Sequence, residues 1–175
     1  MVNARLPKYM DARKIFLQRE EVSGLIEIVD LTRLRGLLAD DIGRVYVELS
    51  FVLDDSGKRV VKGKVKATLS VICQRCLEKF EILVGDEISL GVIESEELAL
   101  GLDSALDPWI CSDYKLSLLE LVEEQLILCL PIVIHHEDSD CVNSIDYQAN
   151  VSAMEGDSAK DNPFAELRTL KTKSL

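Results

Sequence analysis

Cys73 and Cys76 stand two residues apart in VICQRCLEKF, 71–80, between two strand-like segments. A pair at that spacing has three chemical uses: metal ligation, a redox couple, or two small apolar residues filling a tight turn. Alone it decides little. A second group of donors follows in IVIHHEDSDC, 132–141, which supplies His135, His136 and Cys141. Thiolate and imidazole are the usual ligands of zinc, and three cysteines with one histidine make a closed tetrahedral set, the form of a structural site. Spacing does not choose between the two histidines. Reactive Cys-x-x-Cys pairs usually open a helix, whose N-terminus lowers the thiol pKa, whereas here the pair joins two strands. Structural metal therefore ranks first, inert buried thiols second and redox chemistry third. Cys111 and Cys129 read as core residues.

A cluster of this kind needs elements that return residues 135–141 to the turn at 73–76. Three segments alternate with period two: Val45, Val47, Leu49, Phe51 and Leu53; then Val61, Gly63, Val65, Ala67, Leu69, Val71 and Cys73; then Phe80, Ile82, Val84, Ile88, Leu90 and Val92. Such alternation predicts a half-buried antiparallel sheet. The first join, DDSGK at 54–58, links odd to odd positions and so needs an odd loop. A three-residue loop with Gly57 in the left-handed region predicts Phe51 opposite Val61, Leu49 opposite Gly63 and Glu48 opposite Lys64. The second join links odd to even positions. A two-residue loop, Gln74-Arg75, predicts Cys73 opposite Cys76 and Leu69 opposite Phe80.

SLLELVEEQLILCLP, 117–131, is the clearest helix. Ser117 and Glu120 form a capping box. Leu118, Leu119, Val122, Leu126, Cys129 and Leu130 share a face that fits the sheet, and Pro131 ends the helix. Asp11 caps a short helix through Glu20, VSGLIEI (22–28) reads as a strand, Asp30 caps a second short helix, LTRLRGLL, and 94–108 reads as a loop. The predicted class is α+β: an antiparallel β-meander packed by one long helix, with short N-terminal helices and a C-terminal helical segment. Residues 1–141 form a single domain, 142–161 a flexible acidic linker, and 162–175 a short C-terminal helix in which Asn162 caps and Pro163 takes the first position.

The 175 residues carry a formal net charge of −11 and 47% hydrophobic residues. An acidic protein is repelled from nucleic acid as a whole, so an RNA contact needs a local basic patch. Lys62, Lys64 and Lys66, with Lys58 on the same side, form one on the face opposite the core, and Arg75 and Lys79 extend it toward the cysteine turn. Alternate strand residues lie about 6.6 Å apart, near the phosphate spacing of an extended RNA strand. The competing reading is a solvated face partly neutralised by Glu48 and Glu81. No aromatic platform interleaves the lysines, which argues against single-strand stacking. The chain has no phosphate-cradling glycine loop, nucleophile elbow or His-Glu-x-x-His, so neither catalysis nor a small-molecule substrate is indicated. MVNARLPKYMDARK lacks a secretory apolar core and no apolar run reaches about 18 residues, so no membrane association is expected. The odd cysteine count suits a reducing cytoplasm. The C-terminal stripe of Phe164, Leu167 and Leu170 beside Pro163 docks a partner or returns to its own domain.

CQRC (73–76), the helix EEQLILCLPIV (123–133), the histidine-to-cysteine loop ending at Cys141 and the terminal NPFAELRTLK together resemble the YceD family, the bacterial large ribosomal RNA subunit accumulation proteins. RLPKYMDARK and the sheet follow in the same order, so the resemblance covers nearly the whole chain. It implies a non-catalytic factor in ribosome biogenesis that supports synthesis, processing or stability of the large-subunit (23S) ribosomal RNA. The implied partner is ribosomal RNA or a pre-ribosomal particle, met directly or through a ribosomal protein or processing enzyme. The resemblance also singles out His136 over His135 and implies one structural zinc ion at Cys73, Cys76, His136 and Cys141. The alternatives are a thiol/disulfide oxidoreductase using Cys73 and Cys76, and a general zinc-pinned interaction adaptor.

Overall fold

Alternation of the β-branched residues in the three strand-like segments produces the centre of a five-stranded sheet. The structure, a computed structural model, describes residues 4–144. Strands β2 (Glu21–Glu27), β3 (Arg44–Leu53), β4 (Arg59–Ile72) and β5 (Lys79–Ile93) are antiparallel neighbours in that order, and β6 (Asp107–Ile110) closes the sheet parallel to β5. A two-stranded ribbon pairs β1 (Tyr9–Asp11) with β7 (Lys115–Ser117). Three helices complete the described fold: α1 (Ala12–Gln18), α2 (Thr32–Arg35) and α3 (Leu118–Cys129). The α+β class expected from the sequence is the one observed.

One face of the sheet carries Val45, Val47, Leu49, Phe51, Val61, Val65, Leu69 and Val71, all buried. Helix α3 lies on that face against β5 and β4, with Leu118, Leu121, Val122 and Leu126 buried. Ser117 caps it by accepting from the Glu120 backbone N–H at 3.4 Å. Helix α1 starts at Asp11, whose carboxylate accepts from Arg13 N at 2.9 Å, and Phe16 meets Phe51 edge-on at 5.6 Å. It stops at Gln18, two residues short of the expected end, because Arg19 turns left-handed and returns its N–H to Phe16 O.

The first hairpin has the expected register: Phe51 faces Val61, Leu49 faces Gly63 and Glu48 faces Lys64. Gly57 sits at φ +76° and donates to Asp54 O, and the Asp54 carboxylate takes the N–H groups of Ser56 and Lys58. The second hairpin departs from expectation. Leu69 faces Ile82 rather than Phe80, and Val71 faces Phe80. Its loop has four residues, Gln74–Leu77, closed by Cys73 N to Glu78 O and Leu77 N to Cys73 O, both 2.9 Å, with Leu77 at φ +62°. Parity is preserved and the paired residues of both strands keep their expected faces; the slide along the strand differs by two residues, which moves Cys76 off the facing strand into the loop.

Two further expectations are corrected. Asp30 does not cap α2; it pairs with Arg5 at 2.6 Å, and the free N–H groups of Arg33 and Leu34 are taken by the carboxylate of Glu123 from α3, at 2.7 and 3.1 Å. The segment 94–108 is not simply a loop. It forms a 3-10 turn (Glu96–Gly101) and the start of β6, so the sheet is a mixed one rather than a pure meander. Among the described residues no helix is long and apolar enough to cross a membrane. The expected helix of 162–175 and nearly all of the 142–161 linker lie outside the described residues.

Candidate metal centre

Cys73 directly follows the last residue of β4 and is fully buried. The four-residue loop then doubles back, so that Cys76 occupies the loop rather than the facing strand. The Arg75 backbone N–H points at Cys73 Sγ at 3.4 Å. The loop thus gathers both sulfurs and a backbone donor on one side.

The second set of donors arrives from α3. Leu130 leaves the helix in an extended conformation and Pro131 prevents its continuation. The following segment reaches the hairpin tip, where Gln74 N donates to Ile134 O at 2.8 Å. The Arg75 guanidinium donates to His136 O and lies 2.7 Å from His135 Nδ1. His136 points inward, with Nδ1 3.4 Å from Cys76 Sγ and its ring 4.2 Å from that of Phe80. A short 3-10 turn (Ser139–Ser144) carries Cys141. The ligand atoms of Cys73, Cys76, His136 and Cys141 all lie within 4.8 Å of one another. Around a tetrahedral zinc ion, thiolate sulfurs sit roughly 3.8 Å apart, so the four donors fit such an ion after a contraction of about an ångström at most.

The thiols differ in their protonation. Burial opposes ionisation of Cys73, but hydrogen bonds from the backbone N–H groups of Cys76, His136 and Arg75, and from the Cys76 thiol, prevail and bring it down to about 5. Burial pushes Cys141 up to about 11, with the hydrogen bonds and charges of Cys73 and Cys76 adding to it. Crowded sulfurs resist a second and third negative charge unless a cation joins them. Cys111 and Cys129 stay in the core, and burial raises both.

The family described as "Large ribosomal RNA subunit accumulation protein YceD" matches residues 61–171, which contain all four donors. The chain belongs to the YceD family. A relative from Haemophilus influenzae, named large ribosomal RNA subunit accumulation protein YceD, is 30% identical over 174 residues, covering 99% of this chain and 100% of that protein. No solved structure matches.

The structure divides the six candidate cations. Lys62, Lys64 and Lys66 are exposed on the sheet face opposite the core. Lys64 is paired with Glu87 at 3.3 Å, Lys58 donates to Gly101 O, and Lys79 is held by Asp40. Arg75 is half-buried and turned onto the histidine loop. Lys62 and Lys66 alone have no ion-pair or hydrogen-bond partner among the described residues. Lys62 and Lys64 flank a trough of about 790 Å³ across the outer face, whose other walls include Glu21, Glu48 and Glu87. The proposed docking residues Pro163, Phe164, Leu167 and Leu170 lie outside the described residues. Sequence reasoning placed Phe80 in the apolar set of the sheet but not beside the centre, and did not single out Ile134 or Glu123. Of the last two, only Glu123 left a signal, as a charge four residues after Leu119 on the apolar face of α3.

Proposed function

We propose that this protein is a non-catalytic factor in ribosome biogenesis, acting in the synthesis, processing or stability of the large-subunit 23S ribosomal RNA in the bacterial cytoplasm. Its domain, 1–141, holds one structural zinc ion at Cys73, Cys76, His136 and Cys141. The ion supplies no chemistry beyond charge and geometry: it joins the hairpin tip to the segment after α3. The observation that carries this reading is the convergence of four soft donors from two segments 60 residues apart, in a chain whose relatives are named for ribosomal RNA accumulation. Residues 142–161 act as an acidic linker, and Pro163, Phe164, Leu167 and Leu170 as a docking stripe. Contact with RNA or a pre-ribosomal particle uses Lys62 and Lys66, directly or beside a ribosomal protein or processing enzyme.

Sucrose-gradient profiles of a deletion strain test the role: a diminished large-subunit peak, restored by the intact gene, is the expected result, and an unchanged peak rejects it. The low value of Cys73 is the one observation that favours the oxidoreductase reading. Its burial, and the four-donor set around it, favour a ligand instead. Full complementation by a Cys73→Ser, Cys76→Ser double variant would reject both the metal and the redox roles.

A further inference from the structure

The two edges of the five-stranded sheet are finished differently. On the β2 side the N-terminal segment lies alongside: Leu6 N donates to Leu25 O and Leu25 N to Ala4 O. On the β5 side, β6 covers only Leu90–Ile93. From Lys79 to Glu87 no backbone hydrogen bond reaches the outer side of β5 among the described residues.

The hydrogen bonds that do form show which groups face outward. Cys73 N donates to Glu78 O, so Cys73 and Glu78 are a hydrogen-bonded pair. In an antiparallel ladder such pairs alternate; Phe80, Ile82 and Val84 therefore bond to β4, while Glu81, Leu83 and Gly85 aim their N–H and C=O groups away from it. The far end agrees, since Ile93 O accepts from Cys111 N on the β6 side. Gly85 is exposed, and a glycine has only backbone to expose. Leu83 is 79% exposed, and Phe80 and Ile82 are only half-buried although their partners Val71 and Leu69 are fully buried.

We infer that this edge is a docking site for an extended, lysine- or arginine-bearing segment of a partner protein, which adds a strand beside Glu81–Gly85. The sign of the partner follows from the rim. Glu78, Glu81 and Asp86 have no cation within ion-pairing distance among the described residues, whereas Lys79 is already held by Asp40. The incoming strand places apolar side chains over Phe80 and Ile82 and basic ones beside Glu81, flanking Leu83. Edge strands with unpaired groups template this kind of addition, and alternate side chains give it specificity. The inference stands independently of the zinc and ribosomal readings.

Amide hydrogen exchange on the isotope-labelled full chain tests it, with three probes: a blocked heptapeptide of alternating valine and lysine, its counterpart with glutamate for lysine, and single-stranded oligouridylate. The lysine peptide should slow exchange at Glu81, Leu83 and Gly85 by about tenfold or more at saturation, leaving Phe80, Ile82 and Val84 unchanged. The glutamate peptide should bind about fivefold more weakly or worse. Leu83→Pro, at a position whose N–H has no partner in the sheet, should keep the fold and abolish the protection. Glu81→Lys should weaken binding about threefold and keeps the test decisive if the proline variant does not fold. The inference is overturned if the lysine peptide gives no protection or the two peptides bind equally. Protection by the oligonucleotide also overturns it, as does protection of these amides in the free chain, which would mean that a second copy or the chain's own 145–175 segment holds the edge.

Discussion

Glu123 offers the most quantitative test of how the fold is held. Its carboxylate is buried on α3 and one oxygen accepts from both Arg33 N and Leu34 N, at 2.7 and 3.1 Å. Helix α2 has four residues, and its N-cap, Leu31, provides no side-chain acceptor. Glu123→Ala therefore leaves two N–H groups without a partner next to the fully buried Leu34. An unsatisfied buried donor costs about 1–3 kcal/mol, and Arg33 N is only part-buried, so the sum is about 3 kcal/mol. For a domain of this size that lowers Tm by about 10 °C. Glu123→Gln keeps an oxygen in the same place and loses only the charge, at about 1 kcal/mol. Urea denaturation in metal-replete buffer measures both, with the slope expected to stay constant. Exchange of the Arg33 and Leu34 amides should rise selectively in the alanine variant. An alanine variant within about 0.5 kcal/mol of the parent would refute the reasoning. A glutamine variant as unstable as the alanine one would show that charge, not the pair of hydrogen bonds, holds α2.

Native mass spectrometry should find one divalent ion, lost on treatment with chelator or in Cys76→Ser and His136→Ala but kept in Cys111→Ser; at free metal a thousandfold above Kd, the ion stabilises by about 4 kcal/mol, read as a lowered Tm in the chelated protein. Arg75→Ala should weaken metal affinity roughly tenfold through the freed histidine loop, measured by competition with a chromophoric chelator; an unchanged affinity would detach Arg75 from the site. Hydrogen bonds from the Arg13 side chain and backbone hold Asp11 at about 2, below its ordinary 3.8, and Lys79 lowers Asp40. A carboxyl lowered in the folded state stabilises fully above its unfolded value and loses that contribution as pH falls through the folded one, so Asp11 weakens the chelated protein between about pH 4 and 2; Asp11→Asn should flatten that limb in an acid-denaturation titration. Lys62→Glu with Lys66→Glu should abolish complementation of large-subunit RNA levels in a deletion strain while leaving the unfolding free energy within about 1 kcal/mol of the parent, and retained complementation would reject the lysine face.

The strands were legible because period-two alternation is a direct imprint of a sheet with one buried face. Residues 45–53, 61–73 and 80–92 each carry it. The first hairpin was legible because Gly57 supplies the positive φ of the odd loop. The second was not. Parity required an even loop, and two residues and four satisfy it equally; four goes with Leu77 at φ +62°, which a leucine does not advertise, and with one backbone bond, from Gln74 N to Ile134 O of a distant segment. The four donors of the candidate centre were legible as residue types, but the wider loop that gathers them was not. The cap on α2 was hidden for a similar reason. Asp30 stands where a local cap should, yet Arg5 takes it, and the real acceptor arrives from Glu123.

The small ribbon of β1 and β7 has a consequence for how the molecule assembles. It joins the first described residues to the far end of the domain: Tyr9 pairs with Ser117, Leu118 N donates to Lys8 O and Ala12 N to Tyr114 O. Asp11 and Ser117, the caps of α1 and α3, both sit on it. Neither helix start is complete until two distant stretches meet, and contacts between residues so far apart in the chain form more slowly than local helices do. Once the ribbon has zipped, the two helix starts open and close as one cooperative unit, and removal of 4–11 would loosen α3 along with α1.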